Sequence, residues 1–199
     1  MLAMKIYLAS SNGHKAQEFR QCLNGVSLVM PCEENIDFSP SENGTTFRDN
    51  AMLKAMALYD IVKSPVIADD SGLCVKALGG RPGIYSARYS TPSLSSGNVA
   101  DYGIDRLLRE MEGNKYRDAY FVCCVVLYLE ENRFFIFQET CNGKITESKK
   151  GSGGFGYDPI FFIEKMGKTM AELTPEEKND ISHRGKALKA CNAILKDLI

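Results

Sequence analysis

A chain of 199 residues, 44% hydrophobic and 25% charged, has the composition of an ordinary globular protein and fits one large domain or two lobes sharing a core. Its net charge of −1 excludes a global basic field for nucleic acid or an anionic membrane, so an anionic ligand must find its counter-charges locally. Seven cysteines without CxxC spacing speak against a disulfide framework or a zinc knuckle, and for a reducing compartment.

The opening segment has no signal-peptide core, and the longest apolar run, residues 121–129, is too short to span a bilayer as a helix. The expectation is therefore a soluble, cytoplasmic protein. Residues 5–9 read as a first strand. Asn12-Gly13 turns the chain into a helix reaching about Leu23, with Ala16, Phe19 and Leu23 as its apolar stripe. Residues 26–30 form a second strand, stopped at Pro31, and 35–44 an irregular polar loop. Thr45 and Thr46 are cap candidates for a long helix to Val62, which buries Phe47, Ala51, Ala55 and Leu58. Asn50 and Lys54, four apart, share another of its faces. A short strand, 66–68, delivers the pair Asp69-Asp70. Gly79 to Gly83 is a constrained loop, and Asn98 caps a helix to Met111. Residues 119–129 and 133–141 pair as a long hairpin, 159–163 add a short strand, and Ser182 opens the last helix. Strands that first interleave with helices and then form a hairpin predict a mixed α/β sheet in one domain spanning residues 1–199, without a separable linker.

Chemistry concentrates at four places. Ser10-Ser11-Asn12-Gly13-His14-Lys15 lies where a strand feeds a helix, a setting that attracts phosphate, although the segment also reads as a plain turn supported by Asn12. Asp69 and Asp70 are like charges side by side, followed by Ser71. They suit a divalent cation or a proton-transfer task, or a turn in which Asp70 or Ser71 caps local N–H groups. Asp49 could add an oxygen ligand or simply favour the helix dipole. Gly151 to Asp158 brings Phe155, Gly156, Tyr157 and Asp158 together. A ring there can stack on a base and a carboxylate can accept from it, or the aromatics can belong to the core. Ser182-His183-Arg184 places two donors for base oxygens or phosphates at a helix start, or is a plain Ser182 cap beside two solvated neighbours, and Lys178 is a further cation nearby in sequence that by itself needs no function.

In this order the motifs resemble the inosine triphosphate pyrophosphatase family, the XTP/dITP diphosphatases. The resemblance runs through Ser11-Asn12 with Lys15, Thr46 to Ala51 with Lys54-Ala55, and Ala68 to Leu73. It continues through Leu78 to Gly83, Ser86 to Arg88, Gly153 to Pro159 and Ser182 to Arg184. It implies an elongated α/β fold with two lobes around a central substrate cleft, usually a homodimer. It also implies Mg²⁺-dependent hydrolysis of ITP, dITP and XTP to monophosphate and pyrophosphate, clearing them from the nucleotide pool. Asp70 would be the proton acceptor and hold the metal with Asp69 and Asp49. Ser10, Ser11, Asn12, Lys15, Lys54, Ser71 and Lys178 would contact substrate. Phe155, Gly156, Tyr157, Asp158, His183 and Arg184 would read the base. Asp49 stands where the family commonly has glutamate, one methylene longer, which favours a water-mediated contact. A pyrophosphatase of modified pyrimidine nucleotides, as in the septum-formation inhibitor family, and a non-catalytic nucleotide sensor are competing readings. Residues 155–158 and 182–184 argue against the first, and the Asp69-Asp70 pair with Lys15 against the second.

Overall fold

The structure, a computed structural model, describes residues 4–89 and 99–198. Seven strands form one sheet in the order β2-β1-β3-β4-β5-β6-β7, with helices between them, an α/β architecture. They are β1 (Met4–Leu8), β2 (Val26–Val29), β3 (Val66–Val75), β4 (Asp118–Glu130), β5 (Arg133–Ile145), β6 (Phe161–Ile163) and β7 (Lys168–Thr169). The helices are α1 (Gly13–Cys22), α2 (Phe47–Val62), α3 (Val99–Glu110), α4 (Pro175–Ile181) and α5 (His183–Leu198). β1 pairs in parallel with β2 and β3, whereas β6 pairs antiparallel with β5 and β7, so the sheet is mixed. The cap expected at Asn98 lies outside the described residues.

The chain divides into two compact units. The first comprises residues 1–70, 123–139 and 183–199, the second 71–122 and 140–182. In the first unit, alternation along the strands sorts the core into two layers, because successive side chains point to opposite faces of a sheet. Ile6, Leu8, Ile67, Cys123, Val125 and Leu127 pack with Ala16 and Phe19 of α1 and Leu188, Cys191 and Leu195 of α5. Tyr7, Ala9, Val66, Ala68, Cys124 and Val126 pack with Ala51, Ala55 and Leu58 of α2. The second unit has its own core, including Leu73, Val75, Leu107, Met111, Phe121, Tyr157, Ile160 and Phe161.

One boundary differs in a way that matters for the chemistry. The sequence places a strand end at Ala68, but β3 runs on through Asp69, Asp70, Ser71 and Gly72 to Val75. The two carboxylates sit in mid-strand and are buried. Charged groups tolerate such a position when each has its own partners. Helix α4 was not anticipated; Thr174 caps it, with Glu177 returning a bond to the Thr174 N–H.

Candidate active site

Asp69 and Asp70 are adjacent in sequence, so strand alternation sends them to opposite faces of β3. Each makes its short contacts with a different set of side chains. On the α1 and α5 face, Lys15 Nζ donates to Asp69 Oδ1 at 3.0 Å and lies 2.9 Å from Oδ2. Arg184, in the first turn of α5, donates to Asp69 Oδ2 through Nε and Nη2, both at 3.3 Å. Its Nη1 donates to Glu18 Oε2 at 2.6 Å. Burial alone would push the Asp69 carboxyl up. The charges of Lys15, Arg184 and Lys54 outweigh it and hold this group well below the usual carboxylate range.

On the α2 face, Asn50 Nδ2 donates to Asp70 Oδ2 at 3.1 Å, and Lys54 Nζ lies 3.6 Å from Asp70 Oδ1. Lys54 leans instead toward Glu42, to which it donates at 2.8 Å. Burial therefore dominates at Asp70 and pushes its carboxyl up, with Lys54, Lys15 and the Asn50 bond only partly offsetting it. Lys54 is also buried, yet Asp69, Asp70 and Glu42 together hold its ammonium in the charged form. The two partners shift in the same direction because Lys54 has three carboxylates to offset its burial, whereas burial of Asp70 outweighs the pull of Lys54, Lys15 and Asn50.

Around these faces, Asn12 caps α1, its Oδ1 accepting from the N–H groups of His14 and Lys15. Those two amides are thus engaged by the cap, while the Asn12 N–H donates to Ser10 Oγ at 3.1 Å. Ser11 is exposed. Thr46 caps α2 by accepting from the Asp49 N–H at 3.1 Å. The Asp49 carboxylate receives Arg48 Nη2 at 3.1 Å and Thr45 Oγ1 at 3.4 Å. Hydrogen bonding from Thr46, then from Arg48, keeps its carboxyl low.

In the second unit the Gly-rich segment and α4 build a separate constellation. Lys178 Nζ donates to Asp158 Oδ2 at 2.6 Å and stands 4.8 Å from the centroid of the Phe155 ring. The Phe155 N–H donates to the same Asp158 oxygen at 2.8 Å. Gly154, at φ +69°, allows this closure, since a Cβ there would overlap that oxygen. Gly156, at φ +59°, turns the next step. Tyr157 is buried in the core, and its hydroxyl donates to the Ser86 carbonyl at 3.1 Å. Burial raises its phenol well above the ordinary value. Ser71 is half-buried on β3 and His183 is buried at the start of α5.

The structure thus gathers Lys15, Asp69 and Arg184 on one face of β3, Lys54 and Asp70 on the other, and Phe155, Asp158 and Lys178 in the second unit. Asn50, Glu18 and Glu42 were not singled out as site residues, and each touches one of those groups. Nothing in the spacing marks Glu18 or Glu42, because their partners lie 166 and 12 residues away in sequence.

No group of three or more His, Cys, Asp or Glu side chains gathers to hold a metal among the described residues. Mg²⁺ does not require one, since it commonly takes one or two carboxylates and completes its shell with water and substrate phosphate. Asp70, with its side chain 10% exposed and one oxygen only loosely engaged, fits that pattern. Asp69 has a fully buried side chain clasped by Lys15 and Arg184, which a metal would have to displace.

Buried, cation-paired carboxylates in mid-strand are suited to an anionic ligand, and the aromatic–carboxylate–lysine cluster of the second unit to a ring-bearing one. The model of the Ham1 family matches residues 6–194, and the chain belongs to that family. A dITP/XTP pyrophosphatase of Treponema denticola is 57% identical over 194 residues, 97% of this chain and 99% of that protein. One from Geobacillus kaustophilus is 44% identical, covering 92% of this chain and 90% of its own length. The solved Ham1 protein of Staphylococcus aureus superposes with a TM-score of 0.86 at 39% identity, covering 98% of this chain and all of that one. The Coxiella burnetii HAM1 protein does so with a TM-score of 0.87 at 34% identity, covering 98% and 99%.

Proposed function

We propose that this chain is a nucleoside triphosphate pyrophosphohydrolase acting on the deaminated purine nucleotides ITP, dITP and XTP, releasing the monophosphate and pyrophosphate. The observation that carries the reading is the division of Asp69 and Asp70 between two faces of β3, one carboxylate clasped by Lys15 and Arg184 and the other held by the Asn50 amide with its lysine at 3.6 Å. Family membership and the dITP/XTP pyrophosphatase relatives support the substrate class.

In this reading Asp70 accepts the proton of a water whose oxygen attacks the α-phosphorus. The bond from that phosphorus to the α–β bridging oxygen breaks, and pyrophosphate leaves with the electron pair. Lys15 and Lys54 supply positive charge toward the phosphates, with Asp69 and Glu42 holding them in place. Mg²⁺, held by Asp70 with Asp49 reaching it through water, would neutralise phosphate charge and polarise the reacting oxygens. Ser10, Ser11, Asn12 and Ser71 are proposed to line the substrate. Arg184 enters as the clamp on Asp69, and His183 keeps its proposed place at the base.

Lys178, which the resemblance made a substrate contact, lies with Asp158 and beside Phe155. It is therefore the donor we assign to the six-position oxygen of hypoxanthine or xanthine, over a ring stacked on Phe155. Adenine presents an amine there, setting donor against donor and leaving buried groups unpaired, which discriminates by roughly 10⁴ in favourable sites. The reading takes residues 1–199 as one nucleotide pyrophosphatase domain.

No helix among the described residues is long and apolar enough to cross a membrane. We place the protein in the cytoplasm as a homodimer, with no nucleic-acid partner. Hydrolysis of ITP in oxygen-labelled water tests the chemistry: label in the monophosphate and none in pyrophosphate is the expected result. Label in the pyrophosphate, or formation of the diphosphate, would exclude attack at the α-phosphorus.

A further inference from the structure

Asn50 is completely buried and, with Lys54, extends the buried side of α2 that carries Ala51, Ala55 and Leu58, instead of forming the separate face expected from sequence. An amide in such surroundings is costly unless both of its ends are hydrogen-bonded. Both are. The Gly44 N–H donates to Asn50 Oδ1 at 2.8 Å, and Asn50 Nδ2 donates to Asp70 Oδ2 at 3.1 Å. The chemistry of the partners fixes the orientation, because a backbone N–H can only donate and an ionised carboxylate can only accept. Gly44 allows the approach: a Cβ at that position would stand 2.7 Å from Asn50 Oδ1 and 2.8 Å from Asp49 Cβ.

We propose that Asn50 is the positioning residue for Asp70, its amide anchored by the Gly44 backbone so that it occupies Oδ2 and leaves Oδ1 as the working oxygen. Oδ1 is the atom 3.6 Å from Lys54 Nζ, beyond a hydrogen bond and on the side of the buried ammonium. Asn50 acts through Asp70 and need not touch substrate. The inference rests on the functional reading above, which makes Asp70 the proton acceptor.

Three substitutions separate the two ends of the amide. Asn50→Asp keeps an acceptor for Gly44 but loses the donor to Asp70. Asn50→Leu loses both. Gly44→Ala keeps Asn50 and displaces it. With ITP and Mg²⁺, all three are expected to lower kcat about 10²-fold with KM within about threefold, the signature of a misplaced reacting group rather than lost binding. Asn50→Leu combined with Asp70→Asn should be no slower than Asp70→Asn alone. In nucleotide-free and metal-free protein, the Asn50 side-chain amide proton resonances should move on Asp70→Ala and on Gly44→Ala. Asn50→Asp retaining kcat within about threefold would reduce Asn50 to a loop anchor and overturn the inference. Amide resonances unmoved by Asp70→Ala overturn it as well, even if the variants are slow or unfolded. Should wild-type protein turn over none of these nucleotides, the functional reading fails, and the resonance experiment still decides the Asn50–Asp70 contact.

Discussion

At the scale of single residues, the adjacent carboxylates are the central fact. The sequence shows them side by side and suggests mutual repulsion. Period-two alternation resolves this by turning one toward Lys15 and Arg184 and the other toward Asn50 and Lys54. Their environments differ enough to predict opposite effects on stability. Asp69→Asn strips a buried carboxylate from two cations and should cost about 3 kcal/mol in urea unfolding. Asp70→Asn, which removes a charge that burial already disfavours, should leave stability unchanged or raise it at neutral pH. Equal losses would mean that the two groups are not electrostatically distinct. Gly154→Ala is a second residue-scale test, since the position combines φ +69° with a Cβ that overlaps Asp158. By disturbing the Phe155–Asp158–Lys178 cluster it should raise KM for ITP about tenfold, the loss of a binding interaction. An unchanged KM would remove that cluster from base binding. Asn50 lay within a motif that the sequence displays plainly. Its partner on β3 is 20 residues away, however, and an amide gives no sign of which long-range carboxylate it will meet.

At the scale of elements, α1, α2 and α5 were legible because their apolar stripes recur at helical spacing and fall on Ala16 and Phe19, on Ala51, Ala55 and Leu58, and on Leu188, Cys191 and Leu195. β3 was read too short, because a pair of aspartates ordinarily marks the end of a buried run; only tertiary ion pairs allow the strand to continue. α4 escaped because seven residues offer too little periodicity. Its signal was the Thr174-Pro175-Glu176-Glu177 start, a capping box with proline at the first position. That helix delivers Lys178 to Asp158, so its cap should matter beyond stability. Thr174→Ala is expected to cost about 1 kcal/mol in thermal unfolding. The same variant should also weaken ITP binding, seen as a raised KM. A cap loss that leaves KM untouched would uncouple α4 from the substrate.

At the scale of the whole molecule, the order of the motifs along the chain carried the family, and the match over residues 6–194 agrees with it. The division into two units was not localised by the sequence. It falls between Asp70 and Ser71 inside β3, again inside β4 and β5, and a fourth time between Ser182 and His183 where α4 gives way to α5. The hairpin of β4 and β5 leaves Phe134 and Ile136 exposed at 44% and 39%, an apolar pair suited to the proposed homodimer contact. Replacing Phe134→Glu together with Ile136→Lys should shift the sedimenting species from twice the chain mass to one. A wild-type protein already sedimenting as a monomer would remove the dimer from the account.

The most direct measurement is pyrophosphate release from ITP, dITP, XTP, ATP and GTP, with Mg²⁺ and with EDTA, alongside Asp70→Asn. The account predicts metal-dependent release from the three deaminated nucleotides, little from ATP and GTP, and loss of release in the folded variant. Release from ATP as fast as from ITP, or an Asp70→Asn protein as active as wild type, would contradict it.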